Sequence, residues 1–134
     1  MKYLDTNVFL FAFSGSQHAQ TILKEVSSGR MDGATSCLSW DEFMWALRKQ
    51  FSEQDSASEG KKLLSCPHLV FLDVNVETIE RAQQLLERYG LRPRDAIHAA
   101  SALQRGIREM ISDDSDFDRV KEFKRVPIDN AVRA

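Results

Sequence analysis

The sequence predicts an α/β fold, a three-layer α/β/α sandwich with a central, mainly parallel sheet. Short apolar runs of strand character alternate with longer stretches of helical apolar spacing along the whole chain. No internal repeat, low-complexity tract or long linker interrupts that alternation. The 134 residues suit a single domain over 1–134. A domain of that size buries roughly 68–70% of the surface its unfolded chain exposes, so no disulfide framework or structural metal is required.

Lys2 to Leu4 reads as a short buried strand, and Val8-Phe9-Leu10-Phe11-Ala12-Phe13 as a helix capped by Thr6 or Asn7. Asp5 then falls where a strand gives way to a helix. In an open parallel sheet that edge is where ligands bind. Ala19, Ile22, Leu23 and Val26 recur at i, i+3, i+4, i+7, and Ser27-Ser28-Gly29 stops that second helix. Ala34 to Leu38 reads as a strand. Ser39 opens a third helix with Trp40, Phe43, Met44, Leu47 and Phe51 on one face. A weaker fourth helix spans Ser56 to Ser65, where Gly60 costs about 1 kcal/mol relative to Ala.

Pro67 ends that segment, and Leu69 to Leu72 is a buried strand. Asn75 caps the next helix, whose apolar side is Ile79, Ala82, Leu85, Leu86 and Tyr89, and Gly90 closes it. Pro93 suits the first turn of a helix running through Leu103 to a stop at Gly106. Glu109 to Ser112 reads as a strand, followed by the acidic turn Asp113-Asp114-Ser115-Asp116. Val126 to Ile128 is a last strand, which Pro127 restricts to a sheet edge.

Eighteen basic and twenty acidic residues give a net charge of −2, with 43% hydrophobic and 28% charged residues. That balance argues against a protein that coats nucleic acid electrostatically, while leaving room for a local basic surface. Cys37 and Cys66 have no metal-ligand spacing and are expected to be reduced, buried and small in a cytoplasmic protein. The opening residues do not form a basic, apolar leader. The Val8–Phe13 run is far short of the ~20 residues that span a bilayer, so no membrane role is expected.

If the sheet is parallel, its C-terminal edge gathers the residues just past each strand: Asp5, Ser39 to Glu42, Asp73, and Asp113 to Asp116. Asp95, in the first turn of the helix before the fourth strand, points to the same edge. Like-charged carboxylates ~5 Å apart repel by about 3 kcal/mol at an effective dielectric of 20. Such a cluster takes up protons or a cation, and all-oxygen ligands favour Mg²⁺ or Mn²⁺. Each acid also has a structural reading of its own. Asp5 can cap a helix, Ser39 and Glu42 form a capping-box pair, Asp95 complements a helix dipole, and the last acids suit a solvated turn. The metal reading draws on the coincidence of four separate segments.

Leu4-Asp5-Thr6-Asn7, Glu42, Arg94-Asp95-Ala96-Ile97-His98-Ala99-Ala100 and Ser112-Asp113-Asp114-Ser115-Asp116-Phe117 together resemble the PIN-domain family. They look most like its small stand-alone members, the VapC toxins of toxin–antitoxin pairs. The resemblance implies a PIN-like sandwich carrying a Mg²⁺- or Mn²⁺-dependent ribonuclease, usually a homodimer and often restrained by a small antitoxin. Carried across, Asp5, Glu42, Asp95 and Asp114 match the family's four acids, and Asp116 a further one. Thr6 and Ser112 match supporting hydroxyls. Asp113 is an extra acid, so the fourth position stays open between Asp113 and Asp114. The expectation puts Asp5, Asp95 and Asp114 on the main ion, with Glu42 acting directly or through water.

His98, one turn after Asp95, is read as a structural histidine or as a partner for an acid or substrate. Arg92 and Arg94, and Arg119, Lys121, Lys124 and Arg125, are read as phosphate contacts or as solvated surface. Trp40 and Trp45, together with Phe43, make the third helix aromatic on more than one side, which suggests a dimer or antitoxin contact. A stand-alone RNA-processing nuclease and a PIN-like binding module without catalysis share the fold. From another class, a phosphoacceptor receiver domain would use Asp73 after the third strand. It wants an acidic pair after the first strand and a Lys after the fifth, and this chain has neither.

Overall fold

Tyr3 and Leu4, neighbours on β1 (Lys2–Leu4), are both fully buried yet pack into different clusters. Successive strand side chains leave a sheet on opposite faces, so one strand feeds two cores. Met110 and Ile111 on β4 (Glu109–Ile111) repeat the division. The computed structural model describes residues 1–132 and completes the sheet with β2 (Gly33–Ser36), β3 (Val70–Leu72) and β5 (Lys124–Val126). Every pairing is parallel, in the order β3-β2-β1-β4-β5, with Tyr3 opposite Ala34 on one side and Met110 on the other. The first half of the chain builds outward from β1, and the second half restarts on its other flank. The β1–β4 boundary is therefore the switch point, where such a sheet leaves a crevice beyond its strand ends.

On the Leu4 face, α1 (Thr6–Phe13), α2 (Gln17–Ser27), α3 (Cys37–Arg48), α4 (Glu53–Leu64) and the short α7 (Ile128–Ala131) contribute Val8, Phe9, Ile22, Phe43, Leu63 and Ile128. On the Tyr3 face, α5 (Val76–Tyr89) and α6 (Pro93–Gln104) contribute Ala82, Leu85, Ala96 and Ala99. Each fully buried large aliphatic side chain is worth about 1.5–3 kcal/mol. The expected α/β/α sandwich is the observed one. Asn75 caps α5 with Thr78 in a reciprocal box, and Gly90 ends it in the left-handed region (φ 68°), both as the sequence reads.

Other boundaries move for identifiable reasons. Asp5, rather than Thr6 or Asn7, caps α1, its carboxylate accepting from the Thr6 amide. α3 begins at Cys37 under a Ser36 cap, ahead of the expected opening at Ser39. Ser39 is drawn inward instead: Thr35 Oγ1 donates to the Leu4 carbonyl (2.7 Å), so the Ser39 hydroxyl donates to Thr35 (2.6 Å). The capping-box reading of Ser39 with Glu42 is thereby overturned. α4 starts earlier, at Glu53 under Ser52. Gly60 lies against α3 so closely that a Cβ would come 2.6 Å from Met44 Sδ.

β5 is the edge strand, as expected, but lies two residues upstream, and Pro127 precedes α7 instead of joining the ladder. Cys37 is exposed and Cys66 half-buried, contrary to the expected burial of both. Of the aromatic side of α3, Phe43 and Leu47 are buried, Trp40 is exposed, and Phe51 lies beyond the helix. Trp45 is 63% exposed, with the Lys49 ammonium over its ring. Among the described residues no helix is long and apolar enough to cross a membrane.

Candidate metal centre

The switch point brings together side chains from β1, α1, α3, α6 and the turn after β4. The Asp5 amide donates to the Ile111 carbonyl (3.0 Å), which extends the β1–β4 ladder by one residue and fixes where the carboxylate emerges. Its Oδ1 accepts from the Thr6 amide (2.8 Å) and its Oδ2 from the Ser112 hydroxyl (2.6 Å). Ser112, fully buried, accepts in turn from the Asp114 amide (3.0 Å). One hydroxyl thus ties the first acid to the turn that carries the last ones. Asp114 Oδ1 accepts from the Asp116 amide (2.9 Å), opening the 3-10 turn Ser115–Arg119.

Asp95, in the first turn of α6, puts a carboxylate oxygen in a group with one from Asp114 and one from Asp116, all within 4.8 Å of one another. Asp5, expected to share the ion with Asp95 and Asp114, stands just outside that group with both oxygens engaged. Asp113 turns away and accepts from the Ile128 amide at the start of α7 (2.9 Å). Between the two adjoining acids, Asp114 is the one directed at the cluster. Arg125 braces the same turn from β5, donating to the Ser112 carbonyl (3.1 Å) and pairing with both oxygens of Asp118 (2.8 and 3.2 Å).

Glu42, one turn into α3, meets the site through one oxygen. Thr6 Oγ1 donates to Glu42 Oε1 (2.7 Å), and His98 Nε2 bonds to the same atom. His98 is 1% exposed, with Nδ1 2.6 Å from the Tyr3 hydroxyl and Nε2 3.8 Å from Asp5 Oδ1. It is buried, as a structural histidine would be, yet it bonds one expected site acid and approaches another. The signal available in the sequence was its spacing of one helical turn from Asp95.

Charge in this space is incompletely balanced. Burial, then Asp114 and Asp5, push the Asp95 carboxyl up to about 6, against an opposing pull from His98. Burial likewise raises Asp5, opposed by His98 and the Ser112 hydroxyl. Burial would also raise Glu42, but the His98 and Thr6 hydrogen bonds and the His98 charge outweigh it and hold that carboxyl low. His98 is the converse: burial disfavours its cation, and Glu42 and Asp5 outweigh burial and raise it. Arg119 approaches Asp116 at 3.5 Å, while Arg92 and Arg94 are exposed beside Asp95. The Asp95–Asp114–Asp116 group is all oxygen, half-buried and mutually repulsive. That donor chemistry fits a hard divalent cation.

Asp73 follows β3 at the far margin of the sheet, near Cys37 and Leu38, and takes no part in the group. A receiver domain needs its acceptor at the centre of the cleft.

Comparison with known proteins gives a family and a fold. The family model described as PIN domain matches residues 2–123. A toxin–antitoxin complex from Klebsiella pneumoniae superposes with a TM-score of 0.73 at 23% identity, covering 96% of this chain and 98% of that one. DNA-bound VapBC from Salmonella typhimurium gives 0.77 at 19% identity, covering 95% and 97%. A sarcin-ricin-loop-cleaving VapC toxin from Mycobacterium tuberculosis gives 0.69 at 19%, covering 88% and 93%. No curated protein matches the sequence at a significant level.

Proposed function

The chain belongs to the PIN-domain family, and from that premise we propose that it is a divalent-cation-dependent ribonuclease, the toxin of a type II toxin–antitoxin pair. The observation that carries this reading is the convergence of Asp95, Asp114 and Asp116 within 4.8 Å, with Asp5 and Glu42 held beside them. Asp95, Asp114 and Asp116 would hold a Mg²⁺ or Mn²⁺ ion, with Asp5 adjoining and Glu42 reaching it directly or through water. Such an ion lowers the pKa of a bound water and neutralises charge on a phosphodiester in displacement.

The protein's own residues supply the rest. Ser112 and the Thr6 amide keep the Asp5 carboxylate in place across the β1–β4 boundary. Thr6 and His98 hold Glu42. Arg92 and Arg94, exposed beside Asp95, are placed to meet phosphates of a single-stranded RNA, so binding weakens as salt rises. The family neighbours named as toxin–antitoxin and VapBC assemblies support a small antitoxin as partner. An apolar groove of about 570 Å³, lined by Phe9, Phe13, Leu23, Phe43, Leu63 and Pro67, and the exposed Trp45 and Val76 are left to solvent by this chain. They are surfaces for that partner and for a homodimer. The same reading places the protein in the cytoplasm, with RNA.

The test is cleavage of a short single-stranded RNA by purified protein. Activity should require Mg²⁺ or Mn²⁺, vanish in EDTA and be lost in Asp5→Asn. Cleavage indifferent to EDTA, or undiminished in Asp5→Asn, would overturn the proposal.

A further inference from the structure

Two buried groups near the acids have no part in binding a cation: the Tyr3 phenol and the His98 imidazole. They form a chain that ends on Glu42. A carboxylate oxygen only accepts, so the bond to Glu42 Oε1 requires hydrogen on His98 Nε2 whatever the ring's charge. The ring's other nitrogen meets the Tyr3 hydroxyl at 2.6 Å, and Tyr3 stands edge-on to the imidazole with centroids 5.8 Å apart. Tyr3 is fully buried on the central strand β1, so the ring is anchored to the most constrained part of the sheet. Thr6 Oγ1 donates to the same carboxylate oxygen at 2.7 Å. Both bonds converge on Oε1, and Oε2 accepts none from the described residues.

We propose that His98, steadied by Tyr3, is a positioning residue for Glu42, fixing one carboxylate oxygen so that the other is the one offered to the cleft. The proposal rests on the ribonuclease reading above and deepens it by assigning how Glu42 is oriented. Glu has three side-chain torsions, and Thr6 alone leaves the carboxyl free to rotate about its single remaining tether. A misplacement of about 1 Å in such a group costs on the order of 100-fold in rate. A merely structural histidine would bury and bond in the same way, so stability alone cannot separate the two roles.

Two amide replacements separate them. Gln at position 98 puts an N–H donor near the Nε2 position and can still reach Glu42. Asn offers its amide only near Nδ1, toward Tyr3. On a short fluorescent single-stranded RNA with saturating Mn²⁺, His98→Asn is expected to lower kcat by about 10–100-fold, the range for residues that orient a metal-site ligand. KM should change by less than about threefold, and His98→Gln should recover most of the loss. In a Glu42→Ala background, His98→Asn should have no further effect. Equal impairment of the Asn and Gln variants, wild-type kcat in His98→Asn, or additive losses in the double variant would overturn the proposal.

A second readout needs no activity. Long-range ¹H–¹⁵N spectra of the metal-free protein should show a His98 Nε2–H protected from exchange, and Glu42→Ala should remove the protection. A ring protonated on Nδ1 alone, or protection unchanged in Glu42→Ala, would overturn the positioning role. Wild-type protein that cleaves no RNA with either ion would overturn the ribonuclease reading, and the spectra would still decide the tether.

Discussion

Replacing Asp95 with Asn should make the metal-free protein more stable and the metal-loaded protein less so. Asp95 is a half-buried carboxylate facing Asp114, Asp5 and Asp116, and these surroundings carry its pKa from 3.8 to about 6. Two pKa units correspond to about 3 kcal/mol, which solvent screening at a half-exposed position reduces to about 1.5. The favourable interaction of an acid with the first turn of α6 returns about 0.3–1 kcal/mol to the wild type. The net gain for Asp95→Asn is then about 0.5–1 kcal/mol, a rise in Tm of about 2–5 °C. Because the folded-state pKa is raised, the penalty is absent below about pH 4, grows between pH 4 and 6, and is fully present above 6. Thermal unfolding in EDTA should therefore show the variant and wild type coinciding near pH 4 and separating by pH 7. Divalent ion should reverse the order: at 100 times Kd it stabilises wild type by about 2.7 kcal/mol, and the variant by far less. A variant that melts below wild type in EDTA at pH 7, or that gains as much from Mn²⁺, would refute the electrostatic argument.

Three further outcomes rest on the same geometry. Mn²⁺ affinity measured by calorimetry should fall as pH drops below about 6, where Asp95 takes up its proton. A Kd flat between pH 5 and 8 would count against Asp95 as a ligand. Ser112→Ala removes the donor to a buried carboxylate oxygen and the acceptor of the Asp114 amide. Denaturant unfolding should register a loss of about 1–3 kcal/mol, with Thr at that position restoring most of it. Gly33→Ala would bring a methyl 2.8 Å from Val26 Cγ2 in a fully packed layer. It should cost about 1–3 kcal/mol in the same assay and leave metal affinity unchanged.

The order of the five strands and of α1 to α6 and the caps of α5 were legible because they arise from local chemistry, apolar spacing with Asn and Gly at helix ends. β5 is an edge strand as read, but Pro127, the reason given for it, lies outside the strand and precedes α7. The start of α3 was not, because it depends on what Ser39 does across the sheet. A Ser three residues before a Glu spells a capping box, yet Thr35, fixed on the Leu4 carbonyl, takes the Ser39 hydroxyl for itself. The same limit applies at the site. That the acids of four segments would face one edge was implied by strand alternation. That Asp116 joins Asp95 and Asp114 while both Asp5 oxygens are engaged by the Ser112 hydroxyl and the Thr6 amide is something no spacing encodes. His98 was singled out by its spacing from Asp95, as a structural histidine or a partner for an acid. Which groups it meets was not legible for a related reason: its partners lie 56 and 95 residues away.

The bracing of the acidic turn from the far end of the chain has a consequence for incomplete products. Ser112 hangs from the Val126 carbonyl, Asp113 from the Ile128 amide, and Arg125 spans the turn between them. A polypeptide interrupted between Asp116 and Val126, by stalled synthesis or by a protease, retains Asp5, Glu42, Asp95, Asp114 and Asp116 and lacks the strap that braces the turn carrying the last two. Such a fragment carries the acids of the cleft without the bonds from Arg125, Val126 and Ile128 that hold the turn after β4.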